Sequence, residues 1–101
     1  MNLLNIHKEA IINLCRQHGV KELYAFGSVL DDDRFQEQSD VDLLVEFEGI
    51  PLTNYADNIF DFEESLQQLL GRNIDLISQK YLRNRIFIKQ INETKQKLFS
   101  A

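Results

Sequence analysis

Two aspartates one residue apart, Asp40 and Asp42, open a strand-like run from Val41 to Phe47. Side chains alternate faces along a strand, so Asp40 and Asp42 point one way and Val41 the other. Two carboxylates aimed at one point repel each other unless a cation lies between them. Oxygen donors of this kind suit Mg²⁺, which is commonly held by one or two carboxylates together with substrate phosphates. Upstream, the run Leu23-Tyr24-Ala25-Phe26 ends in Gly27-Ser28. Gly27 permits a close backbone approach or a positive φ, and Ser28 offers a hydroxyl and an N–H to a phosphate oxygen. The combination reads as a site for a metal-bound nucleotide. A P-loop and a G-x-G-x-x-G after a strand are both absent. Glycosyltransferases that use D-x-D place the apolar strand before the motif, whereas here it follows.

These residues must be brought together by the elements around them. Apolar spacing predicts a helix over 3–18, through Leu4, His7, Ile11, Leu14, Cys15 and His18, capped by Gly19. A strand over 20–26 follows, then a polar loop from Asp31 to Gln38 with one helical turn. The second strand covers 41–47 and is broken by Gly49-Ile50-Pro51. Tyr55, Ile59, Phe62, Leu66 and Leu69 predict an amphipathic helix over 52–70, ended by Gly71. A third strand spans 74–78, and a last helix spans 81–99 with Phe87, Ile88, Ile91 and Leu98 on one face.

If the first two strands are antiparallel neighbours, Gly27-Ser28 lies beside Asp40 and Asp42. A helical crossover makes the second and third strands parallel, so both start at the same edge and Asp75 arrives there too. The expected fold is α+β, a small mixed sheet of three to four strands with helices. His7 and His18 lie on the first helix's apolar side, and these and Cys15 read as structural residues.

With 101 residues, 44% of them hydrophobic, the chain is expected to form one soluble domain over 1–101. His7, Lys8 and Glu9 interrupt any signal-peptide pattern, and the longest apolar run, Leu23 to Phe26, is far too short to span a membrane. A single cysteine excludes an intramolecular disulfide and fits a cytoplasmic setting. Residues 29–75 carry thirteen acidic and two basic side chains, while residues 76–101 carry six basic and one acidic. The acidic middle argues against nonspecific duplex binding. The basic C-terminal segment fits either a solvated helix face or a surface for phosphates or an acidic partner.

Three blocks carry a resemblance: Phe26-Gly27-Ser28, then Ser39-Asp40-Val41-Asp42-Leu43-Leu44-Val45-Glu46-Phe47, then Gly71-Arg72-Asn73-Ile74-Asp75-Leu76-Ile77. In this order they resemble the minimal nucleotidyltransferases, the smallest members of the polymerase-β-like superfamily, often antitoxin partners of HEPN-domain proteins. The resemblance implies two Mg²⁺ ions, with Mn²⁺ as a substitute, held by Asp40, Asp42 and Asp75. It also implies ATP as substrate, with Gly27, Ser28 and Ser39 contacting the nucleotide. Asp75 would bind the catalytic ion and act as, or orient, the base. Many relatives follow Gly-Ser with an arginine, where this chain has Val29. An arginine at that position should therefore tighten nucleotide binding.

Two functions follow from the resemblance. One is an enzyme moving AMP from ATP onto a hydroxyl of a HEPN toxin; RNA remains open as an acceptor, and the chain could work within a homo- or hetero-oligomer. The other is a non-catalytic antitoxin-like subunit with a weak or idle nucleotide site.

Overall fold

Val41, Leu43 and Val45 give the second strand one buried face, and Leu44 buries part of the other. Both faces therefore need cover, and the chain supplies it in three layers. The computed structural model describes residues 2–31, 33, 35 and 39–101. It runs α1 (Asn2–Ile6), α2 (Lys8–Gln17), β1 (Val20–Phe26), a 3-10 turn (Gly27–Leu30), β2 (Val41–Phe47) and α3 (Leu52–Leu70). β3 (Ile74–Ser78), a second 3-10 turn (Gln79–Tyr81), α4 (Arg85–Thr94) and β4 (Gln96–Ser100) follow.

The sheet order is β3-β2-β1-β4. β1 is antiparallel to both β2 and β4, and β2 is parallel to β3, joined by the α3 crossover. Leu23, Ala25, Val41, Leu43, Val45, Ile74 and Phe99 share a core with Leu4, Ile11, Cys15, Phe62 and Leu66 from the helices. Full burial of Phe62 and Leu66 stabilises the crossover by about 1.5–3 kcal/mol each. The opposite face carries Phe26, Leu44, Tyr24 and Ile77, covered by Phe87 and Ile91 of α4. By strand alternation Asp42 and Asp75 belong to this second face.

The expected strands over 20–26, 41–47 and 74–78 and the helix over 52–70 are all present. α3 ends at Gly71, whose φ of 65° is left-handed and whose N–H donates to Gln67 O at 2.9 Å. The first helix departs from expectation. His7 leaves helical geometry (φ −101°, ψ 16°) and splits it in two, so that Leu4 reaches the core while Ile6 stays exposed.

The larger correction concerns the C-terminus. The expected helix over 81–99 is α4 followed by a fourth strand. Asn84 starts α4 by accepting the N–H groups of Ile86 and Phe87 at 3.0 and 3.1 Å. Phe87 and Ile91 do share a face, but Lys95 turns to extended geometry (ψ 146°), and Phe99 enters the core opposite Leu23. Of the expected helical turn over Asp31 to Gln38, only parts fall within the described residues. There, Phe35 N–H donates to Asp31 O, and Asp33 N–H to Asp31 Oδ1, both at 3.0 Å. Among the described residues no helix is long and apolar enough to cross a membrane.

Candidate active site

Register alone assembles the site. On the β1–β2 ladder Phe26 faces Asp42, and on the β2–β3 ladder Asp42 faces Asp75. Gly27, next in sequence after Phe26, turns against the same aspartate. Its φ is +75°, and a Cβ there would sit 2.5 Å from Asp42 Oδ2. The requirement for glycine is therefore double: a left-handed backbone, and no side chain where the carboxylate lies. Asp40, just before β2, and Asp75 are exposed, while Asp42 is half-buried.

Electrostatics follow from this crowding. Burial, then the charges of Asp75 and Asp40, then a hydrogen bond with Asp75 push the Asp42 carboxyl up from 3.8 to about 6. A raised carboxyl pKa in the folded state favours folding while the group is protonated. Its contribution is full below the unfolded value and is lost as pH rises through about 6. Ionised Asp42 thus strains the ligand-free protein at neutral pH. Asp42→Asn is expected to raise ligand-free stability above that pH, by at most about 1 kcal/mol because solvent screens a half-exposed group. Near pH 4 it should change little. Paired thermal melts across this range check the expectation.

Among the described residues no three His, Cys, Asp or Glu side chains are gathered closely enough to hold a metal ion. The arrangement sets Asp42 beside Asp75 across the parallel ladder, with Asp40 acting on Asp42 through space. The donor chemistry still fits a hard divalent cation: all oxygen, anionic and mutually repelling.

Ser28 is half-buried in the 3-10 turn and Ser39 half-buried just before Asp40. Gly27→Ala is expected to cost about 1–3 kcal/mol from backbone strain and to displace Asp42, measured by urea denaturation and by loss of the Mg²⁺-nucleotide melting shift.

Val29 corrects the sequence reading. It is 1% exposed and belongs to the main core. An arginine there would bury an unpaired charge rather than reach a phosphate. Asp31 and Asp33 are exposed and engaged with each other in the turn. Arg72, before β3, stacks on Phe35 at 4.7 Å and braces the approach to β2. Sequence reasoning passed over that contact, because nothing local pairs positions so far apart. His18 and Cys15 are structural: the His18 ring hydrogen-bonds Leu14 O at 2.8 Å and packs on Phe62. Cys15 is fully buried, and burial holds its thiol at about 12.

Comparison with known proteins agrees with this geometry. Residues 9–101 match the family model described as polymerase beta, nucleotidyltransferase. The protein adenylyltransferase MntA of Thermococcus cleftensis is 36% identical over 85 residues, covering 84% of this chain and 79% of the relative. A solved structure assigned as a minimal nucleotidyltransferase is 34% identical with a TM-score of 0.72, covering 92% of this chain and 90% of its own. The MNT antitoxin in complex with tri-AMPylated Shewanella oneidensis HEPN toxin shares the fold at 17% identity and a TM-score of 0.64, covering 96% and 72%. With the family model spanning nearly the whole chain and a relative above one-third identity, this protein belongs to the polymerase beta family as a minimal nucleotidyltransferase.

Proposed function

We propose that this chain is a Mg²⁺-dependent protein adenylyltransferase that moves AMP from ATP onto a hydroxyl of a HEPN-domain toxin and so acts as its antitoxin. The observation that carries the reading is the Asp42–Asp75 contact across the parallel strand pair, with Gly27 closed against Asp42. Its similarity to a protein adenylyltransferase and to an antitoxin bound to an AMPylated toxin supports the acceptor class.

Asp40, Asp42 and Asp75 would hold Mg²⁺, or Mn²⁺ in its place. The bound ions would supply charge stabilisation for the attacking and leaving oxygens. Gly27, Ser28 and Ser39 would contact the nucleotide, with the turn's N–H groups and hydroxyls facing phosphate oxygens. The acceptor oxygen forms a bond to the α-phosphorus, and the bond from that phosphorus to the bridging oxygen breaks. Pyrophosphate leaves with the electron pair, and the hydroxyl proton passes to the Asp75 carboxylate. ATP as donor and a single unpaired cysteine fit a cytoplasmic setting.

Incubation with Mg²⁺, ATP and a HEPN-domain toxin tests the proposal. Mass spectrometry should show the toxin gaining whole AMP units on a tyrosine or similar hydroxyl, with loss of toxicity. A toxin of unchanged mass would refute the transfer.

A further inference from the structure

Val29, an apolar and buried residue, follows Gly27-Ser28, and the segment that enters β4 brings a lysine to the same edge. Ala25 faces Gln96 and Tyr24 faces Lys97. Lys95, one residue before Gln96, therefore lies alongside Phe26, whose other neighbour is Asp42, which in turn faces Asp75. Asp75, Asp42 and Phe26 form one row across β3, β2 and β1, and Lys95, the residue just before β4, continues it by extension of the β1–β4 register. Strand spacing puts Lys95 about 10 Å of backbone from Asp42, a gap that a lysine side chain and a polyphosphate together span.

The lysine is also held on the catalytic face. Its Nζ lies 4.1 Å from the centre of the Tyr24 ring, and Lys97 Nζ lies 5.7 Å from it. Tyr24 donates its hydroxyl to Glu22, and that bond, with burial and the charges of Glu22 and Glu46, holds the phenol at about 12. The ring thus stays neutral, a platform over which an ammonium is attracted. Lys21 pairs with Glu46 at 3.9 Å, and Lys97, Lys21 and Lys95 all act through space on the Glu22 carboxylate.

Resting on the proposed roles of Asp75 and Gly27-Ser28, we propose that Lys95 is a positioning residue for the leaving pyrophosphate. Phosphoryl-group displacement needs the attacking and leaving oxygens roughly in line. With the base on β3 and the β- and γ-phosphates at the end of β1, that line continues to β4. As the bond between the α-phosphorus and the bridging oxygen breaks, charge gathers on the pyrophosphate, and an ammonium there stabilises it.

The test compares α,β-methylene-ATP with AMP, each with Mg²⁺, by calorimetry on wild type, Lys95→Met, Lys95→Arg and Lys97→Met. Wild type should prefer the triphosphate. Lys95→Met should weaken its binding about tenfold or more, leave AMP unchanged, and lower kcat/KM for ATP without raising KM for the acceptor. Lys95→Arg should restore it, and Lys97→Met, one pleat further away, should change it less than about twofold. Unaltered triphosphate binding by Lys95→Met, or a rise in acceptor KM alone, would overturn the assignment. A wild type that binds neither nucleotide would remove the site's reading and the assignment with it. A wild type that binds but transfers nothing would remove only the transfer, and the triphosphate comparison would still decide on Lys95.

Discussion

Replacing Asp75 by asparagine is expected to lower AMP transfer by about 10²–10⁴-fold while nucleotide affinity falls only modestly. The separation follows from the sheet. Asp75 lies on β3, across the parallel ladder from Asp42 and on a different strand from the Asp40–Asp42 pair. That pair and the Gly27 turn remain to hold a metal-bound triphosphate when Asp75 is neutralised. In the proposed mechanism the acceptor hydroxyl, in contrast, loses both a metal ligand and the group that takes its proton. Asparagine is nearly isosteric, so the change is mainly one of charge. Single-turnover transfer to the HEPN partner, measured beside nucleotide affinity, checks the expectation. Equal transfer by wild type and variant would leave Asp75 without a catalytic role.

The second large effect concerns ligand linkage. Binding of Mg²⁺ with α,β-methylene-ATP at one hundred times its Kd should stabilise the native state by about 2.7 kcal/mol. For a domain of this size that is a rise of about 10 °C or more in Tm. Asp40→Asn with Asp42→Asn should abolish the shift entirely. The same double variant should melt no lower than wild type in the absence of ligand at neutral pH, because the strained Asp42 carboxylate is gone. A misfolded variant would lose both stability and the shift. Loss of the shift with baseline stability retained or raised therefore points to the carboxylates themselves. A shift that persists would place the metal elsewhere.

The juxtaposition of Gly27, Asp42 and Asp75 is legible in the sequence, for local reasons. Alternation put Asp40 and Asp42 on one face, and a nineteen-residue amphipathic helix between two apolar runs implied the parallel crossover that brings Asp75 to Asp42. Glycines at 27 and 71 marked turns whose positive φ values are present in the fold. What stayed hidden depends on partners distant in sequence. β4 pairs with β1 from more than seventy residues away, and its Lys-Leu-Phe segment continues the helical spacing of Phe87 and Ile91 without a glycine to end it. Val29 looked like a position facing the phosphates because it follows Gly-Ser. Only the packing of its 3-10 turn against the core shows that it points inward. Lys95 falls inside the expected helix over 81–99, and only the fourth strand makes it a neighbour of the Asp75–Asp42–Phe26 row.

In the proposed reaction an AMP unit, rather than a phosphate or contact alone, passes to the partner. The most direct measurement uses two ATP preparations, one labelled at the α-phosphorus and one at the γ-phosphorus, each incubated with Mg²⁺, this chain and its HEPN partner. α-Label should appear on the partner and γ-label in released pyrophosphate, both abolished by Asp40→Asn with Asp42→Asn. γ-Label on the partner, or no label from either preparation while the partner is still neutralised, would contradict this transfer.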